Sequence, residues 1–238
     1  MDTSEHGSGK QPDTVMFMSL AEEFLLLAYA DDGTPLTDGM HLDNGLGGAL
    51  LLELAMDARI DVVDKRVVVL SDAPTGQPLL DHALGRIREA EKTRKPGYWV
   101  SKFAQDARPR VLEKLVGDGV LTMAKDRVLG VFPRTRYPAA QGTEPAVETD
   151  ARQRLRAAVL ADGAVEPRTA ALCALVAATE LDRKVLADLD RKRVKARLKE
   201  IGQGPWAATA VRATIEEIQS AILIAIVAAT TTGAGAGS

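Results

Sequence analysis

Two stretches of this chain, 61 positions apart, read as the same unit: an amphipathic helix, a small-residue break and a β-hairpin turned by Asp and Lys. The first runs from Leu51 to Leu70 (LLELAMDARIDVVDKRVVVL) and the second from Leu112 to Val131 (LEKLVGDGVLTMAKDRVLGV). Superposed, they align Leu51 with Leu112, Leu54 with Leu115, Asp57 with Asp118, Arg66 with Arg127 and Val67 with Val128. The hairpins are therefore scaffold elements first, a frame on which any site must be placed.

A chain of 238 residues that is 46% hydrophobic can bury one sizeable core, which predicts one domain. Only 4% is aromatic, and Ala and Leu supply most of the apolar residues, a composition that favours helices over a sandwich. The single cysteine, Cys173, sits in the apolar run AALCALVAA and reads as a buried structural thiol. One cysteine can build neither a disulfide framework nor a Cys-based zinc site, which fits a reducing compartment. The start, MDTSEHGSGKQPDT, lacks an apolar segment behind a basic one, so residues 1–16 read as a disordered arm rather than a secretion signal.

The longest apolar run, Ala221 to Ala229, is about half of what a bilayer crossing requires and predicts a central core helix. The net charge of −3 is unevenly spread. Acidic residues dominate from Asp31 to Asp81, whereas Arg86, Arg88, Lys92, Arg94, Lys95, Lys102, Arg108 and Arg110 make the next stretch locally basic.

Ser19 followed by Glu22 forms a capping-box start to a helix, SLAEEFLLLAYA. The stretch from Asp31 to Gly45 reads as loop, with a second helix from about Leu46 to Asp57 leading into a hairpin over 59–70. A turn at Pro74 and Gly76 feeds a third helix, broken at Lys95-Pro96-Gly97. Helical turns follow at Trp99 to Phe103 and Arg108 to Val116, before the second hairpin. Residues 133–149 read as a connecting loop, and helices are predicted over 150–162, 167–179, 180–201 and 206–229. Residues 230–238, TTTGAGAGS, read as a flexible tail.

No catalytic centre emerges. His6, His41 and His82 lack metal-ligand spacing, and Asp81 with His82 are helix neighbours that do not face each other. There is no GxSxG elbow and no phosphate-binding P-loop. The NGLGGAL stretch lacks the third glycine and preceding strand of a dinucleotide loop. Two readings of Gly45, Gly47 and Gly48 stay open: tight packing, or a glycine-rich helix entry whose free amides meet an anion. Helix plus hairpin, twice, also suggests a winged-helix DNA reader. The helix before the first hairpin is nearly all apolar and cannot lie in a major groove, so nucleic acid is not the expected partner.

The succession SLAEEFLLLAY, GLGGALLLELAMDARI, VVVLSDAPTGQPLLDHAL and LVGDGVLT resembles the Golgi phosphoprotein 3 family over residues 17–229. Its most specific piece is Ser71 to Gly76 followed by Leu79, Leu80, Asp81, Ala83 and Leu84. The resemblance implies a mainly α fold: a single-domain helical bundle around a hydrophobic central helix, with two short β-hairpins at the rim. It further implies a non-catalytic protein without cofactor or metal that attaches peripherally to membranes by binding phosphatidylinositol 4-phosphate. In eukaryotes such proteins link Golgi glycosyltransferases to vesicle coats. Abundant alanine, and arginine outnumbering lysine, match chains from GC-rich bacterial genomes.

The family's headgroup pocket is formed by a Trp before the second helix, an Arg in its glycine segment and two Arg near the helix before the second hairpin. Here Asp38 or a neighbour stands at the Trp position, Gly47 at the first Arg and Gln105 at the second, while Arg108 matches the third with Arg110 close by. Each missing arginine removes a charge-assisted contact of roughly 1.5–3 kcal/mol, so weak affinity for the family's lipid is expected. The expected site is Arg108 and Arg110 near the amides of Gly45, Gly47 and Gly48. The expected partners are anionic lipid headgroups at the inner face of the membrane, met by a contact surface that includes the basic segment from Arg86 to Arg110 and the second hairpin, with the protein otherwise cytoplasmic, and a protein cargo or a second copy through the second hairpin. A soluble adaptor or nucleic-acid-binding regulator is the alternative.

Overall fold

A computed structural model of the protein describes residues 18–128, 131–203 and 209–233. The expected arm over residues 1–16, and residues 234–238 of the expected tail, lie outside the described residues. Ten helices and two two-stranded antiparallel sheets make up the described chain, in agreement with a mainly α bundle rimmed by two hairpins.

α1 (Leu20–Leu27) begins at the predicted capping box: the Ser19 hydroxyl accepts from the Glu22 amide, and the Glu22 carboxylate accepts from the Ser19 amide at 2.7 Å. Every α1 residue is buried, and Glu22 is matched by Lys114 at 2.9 Å. The central helix is α2 (Gly39–Met56), which starts well before the expected Leu46. Asp38 supplies the cap, its Oδ1 accepting from the Met40 and His41 amides at 3.0 and 3.1 Å. Glycines that weaken a solvated helix are tolerated here because neighbouring helices close on them. A Cβ at Gly45 would meet the Phe24 ring, at Gly47 the Val100 carbonyl oxygen, and at Gly48 the Ile222 side chain.

The first hairpin pairs β1 (Ile60–Val63) with β2 (Arg66–Val69), turned by Asp64 and Lys65 at φ of 50° and 61°. α3 (Pro78–Arg88), α4 (Pro96–Ala104) and α5 (Ala107–Gly117) follow, the first two with Pro in the opening turn. The second hairpin corrects the repeat. Lys125 and Asp126, aligned with the first turn, lie inside β3 (Ala124–Val128), and β4 (Phe132–Arg136) takes residues expected to be loop. The pairing Val128↔Phe132 puts the turn beyond Val128, so this hairpin is longer than its counterpart.

α7 (Pro167–Ala178) matches its predicted position, whereas α6 (Ala146–Leu160) begins four residues before the expected 150, inside the stretch expected to be loop. The single helix expected over 180–201 is instead α8 (Asp182–Val185) and α9 (Arg191–Gln203). Asp190 restarts the chain as a cap, accepting from the Arg193 amide at 2.8 Å. α10 (Thr209–Gly233) continues into the expected tail and is only partly a core helix. Ile215, Ile218, Ile222 and Ile226 are buried, while Leu223, Ile224 and Val227 are exposed. Cys173 is buried in α7 as predicted, and burial pushes its thiol up to about 12. No helix among the described residues is long and apolar enough to cross a membrane.

The loop that carries the family resemblance acts as a brace. Asp81 accepts from the Thr75 amide and hydroxyl at 2.6 and 2.8 Å, and Arg59 reaches the Ser71 hydroxyl at 3.1 Å. Together these tie the start of α3 to the first hairpin.

Candidate functional site

The residues expected to form one pocket divide into three places. Gly45, Gly47 and Gly48 are buried in the interior of α2, where amides donate along the helix and side-chain space belongs to Phe24, Val100 and Ile222. The packing reading therefore accounts for them, and the free first turn of α2 lies at Gly39 to His41 instead.

Arg108, in the first turn of α5, reaches that turn. Its terminal nitrogen donates to Asp43 Oδ2 at 3.0 Å, and its Nε lies within ion-pair distance of Asp43 Oδ1 at 2.9 Å without forming a second hydrogen bond. The same guanidinium is the nearest neighbour to Gly39. Burial pushes the Asp43 carboxyl up, and Arg108 pulls it back towards ionisation. Asp38 caps the α2 amides and also holds His41, whose Nδ1 is 2.6 Å from its Oδ2. Two carboxylates therefore occupy the positions an incoming phosphate would need: Asp38 on the amides and Asp43 on the arginine.

Arg110 points elsewhere. It donates to Asp106 at 3.1 Å, where Arg86 also binds at 3.0 Å and His82 stands at 3.7 Å. Arg86 in turn lies over the Phe103 ring at 5.4 Å. Arg108 and Arg110, two apart on α5, therefore serve different clusters, as their offset on a helix requires.

The second hairpin sits beside the Arg108 cluster. The Tyr137 ring, just after β4, meets the buried Tyr29 edge to face at 6.3 Å, and the Tyr137 amide donates to Gly33 at 2.9 Å. Burial raises the Tyr29 hydroxyl while the neighbouring Arg108 opposes it. On one face of the hairpin, Arg136 pairs with Asp126 at 2.8 Å and Arg134 with Asp32 at 3.4 Å. The other face carries Lys125, Arg127, Pro133 and Thr135, all exposed, and neither basic residue has an ion pair among the described residues. At the tip, Val131 and Phe132 are 71% and 64% exposed.

The sequence places the second hairpin on the contact surface but does not resolve Lys125, Arg127, Val131 and Phe132 as its exposed residues, because aligning the two hairpins puts the turn too early. Their signal is an apolar pair next to a turn with cations two apart on one strand face. No group of three or more His, Cys, Asp or Glu suited to a metal occurs among the described residues. α2, expected to be too apolar for a DNA groove, is enclosed by the bundle.

A family model described as Golgi phosphoprotein 3 matches residues 20–218, from the first residue of α1 into α10. The chain belongs to the Golgi phosphoprotein 3 family. The match takes in both hairpins, the α2–α5 junction and the Ser71 to Gly76 brace.

Proposed function

We propose that this Golgi phosphoprotein 3 family member is a non-enzymatic peripheral protein that attaches to anionic lipid headgroups at the inner face of a membrane, with the β3–β4 hairpin as its contact. The observation that carries the reading is the hairpin's end. Two apolar side chains, Val131 and Phe132, project at the tip, and Lys125 and Arg127 stand on an outward face with their charge uncompensated among the described residues. Apolar groups at the headgroup boundary gain about 1.5–3 kcal/mol each when fully removed from water, and each cation near an anionic surface adds about 1 kcal/mol. Neither contribution alone anchors a protein; together they support weak, salt-sensitive attachment.

Specific recognition of phosphatidylinositol 4-phosphate has less support. The one arginine that matches the expected pocket, Arg108, is held by Asp43, and Gly47 has no room for a second. Surface charge, rather than one headgroup's stereochemistry, therefore sets the preference. Vesicle flotation with rising phosphatidylglycerol in phosphatidylcholine, at low and high salt, tests this. Recovery should climb with anionic fraction, fall with salt, and be similar for vesicles matched in charge by phosphatidylinositol 4-phosphate. No recruitment at any composition would overturn the reading.

A further inference from the structure

A second surface, away from the hairpin in sequence, has the features of a protein-binding groove. It encloses about 710 Å³ between α7, α9 and α10. Its floor is apolar and shallow, made by Ala174 and Ala177 of α7, Leu198 of α9 and Leu223 of α10, the last 49% exposed. Beyond Leu223 the apolar surface continues through Ile224, which is 67% exposed.

Charge along the rim does not balance. Arg183 and Arg191 are taken by Glu180 and Asp182 at 3.1 and 2.9 Å, and Glu216 has an interaction of its own. Lys195 and Lys199 of α9 are exposed and carry no ion pair among the described residues. They lie four apart, one helical turn, and so share a face.

We propose that this groove binds an amphipathic helix of a partner protein, with two acidic residues one turn apart. Alanines on α7 let a second helix approach closely, as small residues do wherever helices pack tightly. Leu198 and Leu223 offer it an apolar seat of the kind used by helix-in-groove complexes. Lys195 and Lys199 match carboxylates at i and i+4 of that helix. A lipid acyl chain would fill the apolar floor but carries no charge along its length to answer Lys195 and Lys199 four apart, which is why a peptide with carboxylates beside its apolar stripe is the occupant chosen.

The probe is a fluorescent peptide of about 18 residues, long enough to hold helix, with leucines at i, i+3, i+4 and i+7 and glutamates one turn apart beside them. A matching peptide carries lysines at the glutamate positions. Fluorescence anisotropy with the full chain should show binding of the acidic peptide only. Lys195→Glu with Lys199→Glu should weaken it at least tenfold, and Ala177→Trp, which plugs the floor without altering charge, should do the same. Both changes are at exposed positions, and vesicle flotation of these variants should be unchanged, which separates this groove from the hairpin. Equal binding of both peptides, no binding of either, or undiminished binding by the variants would overturn the proposal. So would loss of vesicle flotation in the lysine variant, since the face would then serve a membrane.

Discussion

Gly47 shows how a single position can decide what a site cannot be. It stands where the family resemblance expects a phosphate-binding arginine, yet its α-carbon lies against the Val100 carbonyl of α4. Gly47→Ala should destabilise the protein by about 1–3 kcal/mol through overpacking against backbone, although alanine is the better helix former. Gly85 in α3 has open space around it, so Gly85→Ala should stabilise by about 0.5–1 kcal/mol. Urea unfolding of the two variants reads this directly, and shifts of the same sign would contradict the packing account. Arg108 makes the complementary point. It neutralises Asp43 at the α2–α5 junction, so Arg108→Ala should cost about 1 kcal/mol of stability and leave vesicle recovery within about twofold of the parent. Loss of flotation in a folded Arg108→Ala protein would return the headgroup site to that junction.

At the scale of elements, what could be read from sequence depended on how local the cause is. The α1 start is evident because Ser19 and Glu22 satisfy each other three residues apart, and the first hairpin because Asp64 and Lys65 sit between two valine-rich runs. The start of α2 is not, since its glycines resemble a loop until Phe24, Val100 and Ile222 are seen closing on them. The Asp43 to Arg108 pair spans 65 positions, beyond any periodicity argument. The second hairpin is legible as an element but not in register, and so the four residues that define its surface are not legible either. Another long-range tie holds three helices together. Arg168 of α7 binds Glu23 of α1 at 2.8 Å and Glu53 of α2 at 3.0 Å, and donates to the Met18 carbonyl at 2.5 Å. Glu53 is buried, which raises its carboxyl, while Arg168 opposes that shift. Removing the cation leaves the buried Glu53 without a counter-charge, while Glu23 keeps Arg154 at 2.8 Å, so Arg168→Ala should cost about 3 kcal/mol in chemical denaturation. A cost below about 1 kcal/mol would show the tie to be dispensable.

For the molecule as a whole, stability and attachment should respond to pH and charge in separable ways. Burial pushes Glu148, beside the base of the second hairpin, up to about 7, with Arg152 pulling it down. The folded protein then holds its proton more tightly than the unfolded chain, whose glutamate titrates at 4.5. This contribution is complete below 4.5 and is lost as pH rises to about 7, so unfolding free energy should fall across that window. Glu148→Gln should flatten the decline; an unchanged slope would contradict the assignment. On the proposed reading, the membrane contact is one hairpin at the rim of the bundle. The most direct test is vesicle flotation of two folded variants side by side on anionic vesicles at low salt. One joins Phe132→Asp with Lys125→Glu and Arg127→Glu; the other is Arg108→Ala. The account predicts that the hairpin variant stays unbound while the Arg108 variant floats like the parent. Flotation of the hairpin variant at the parent's level would contradict it.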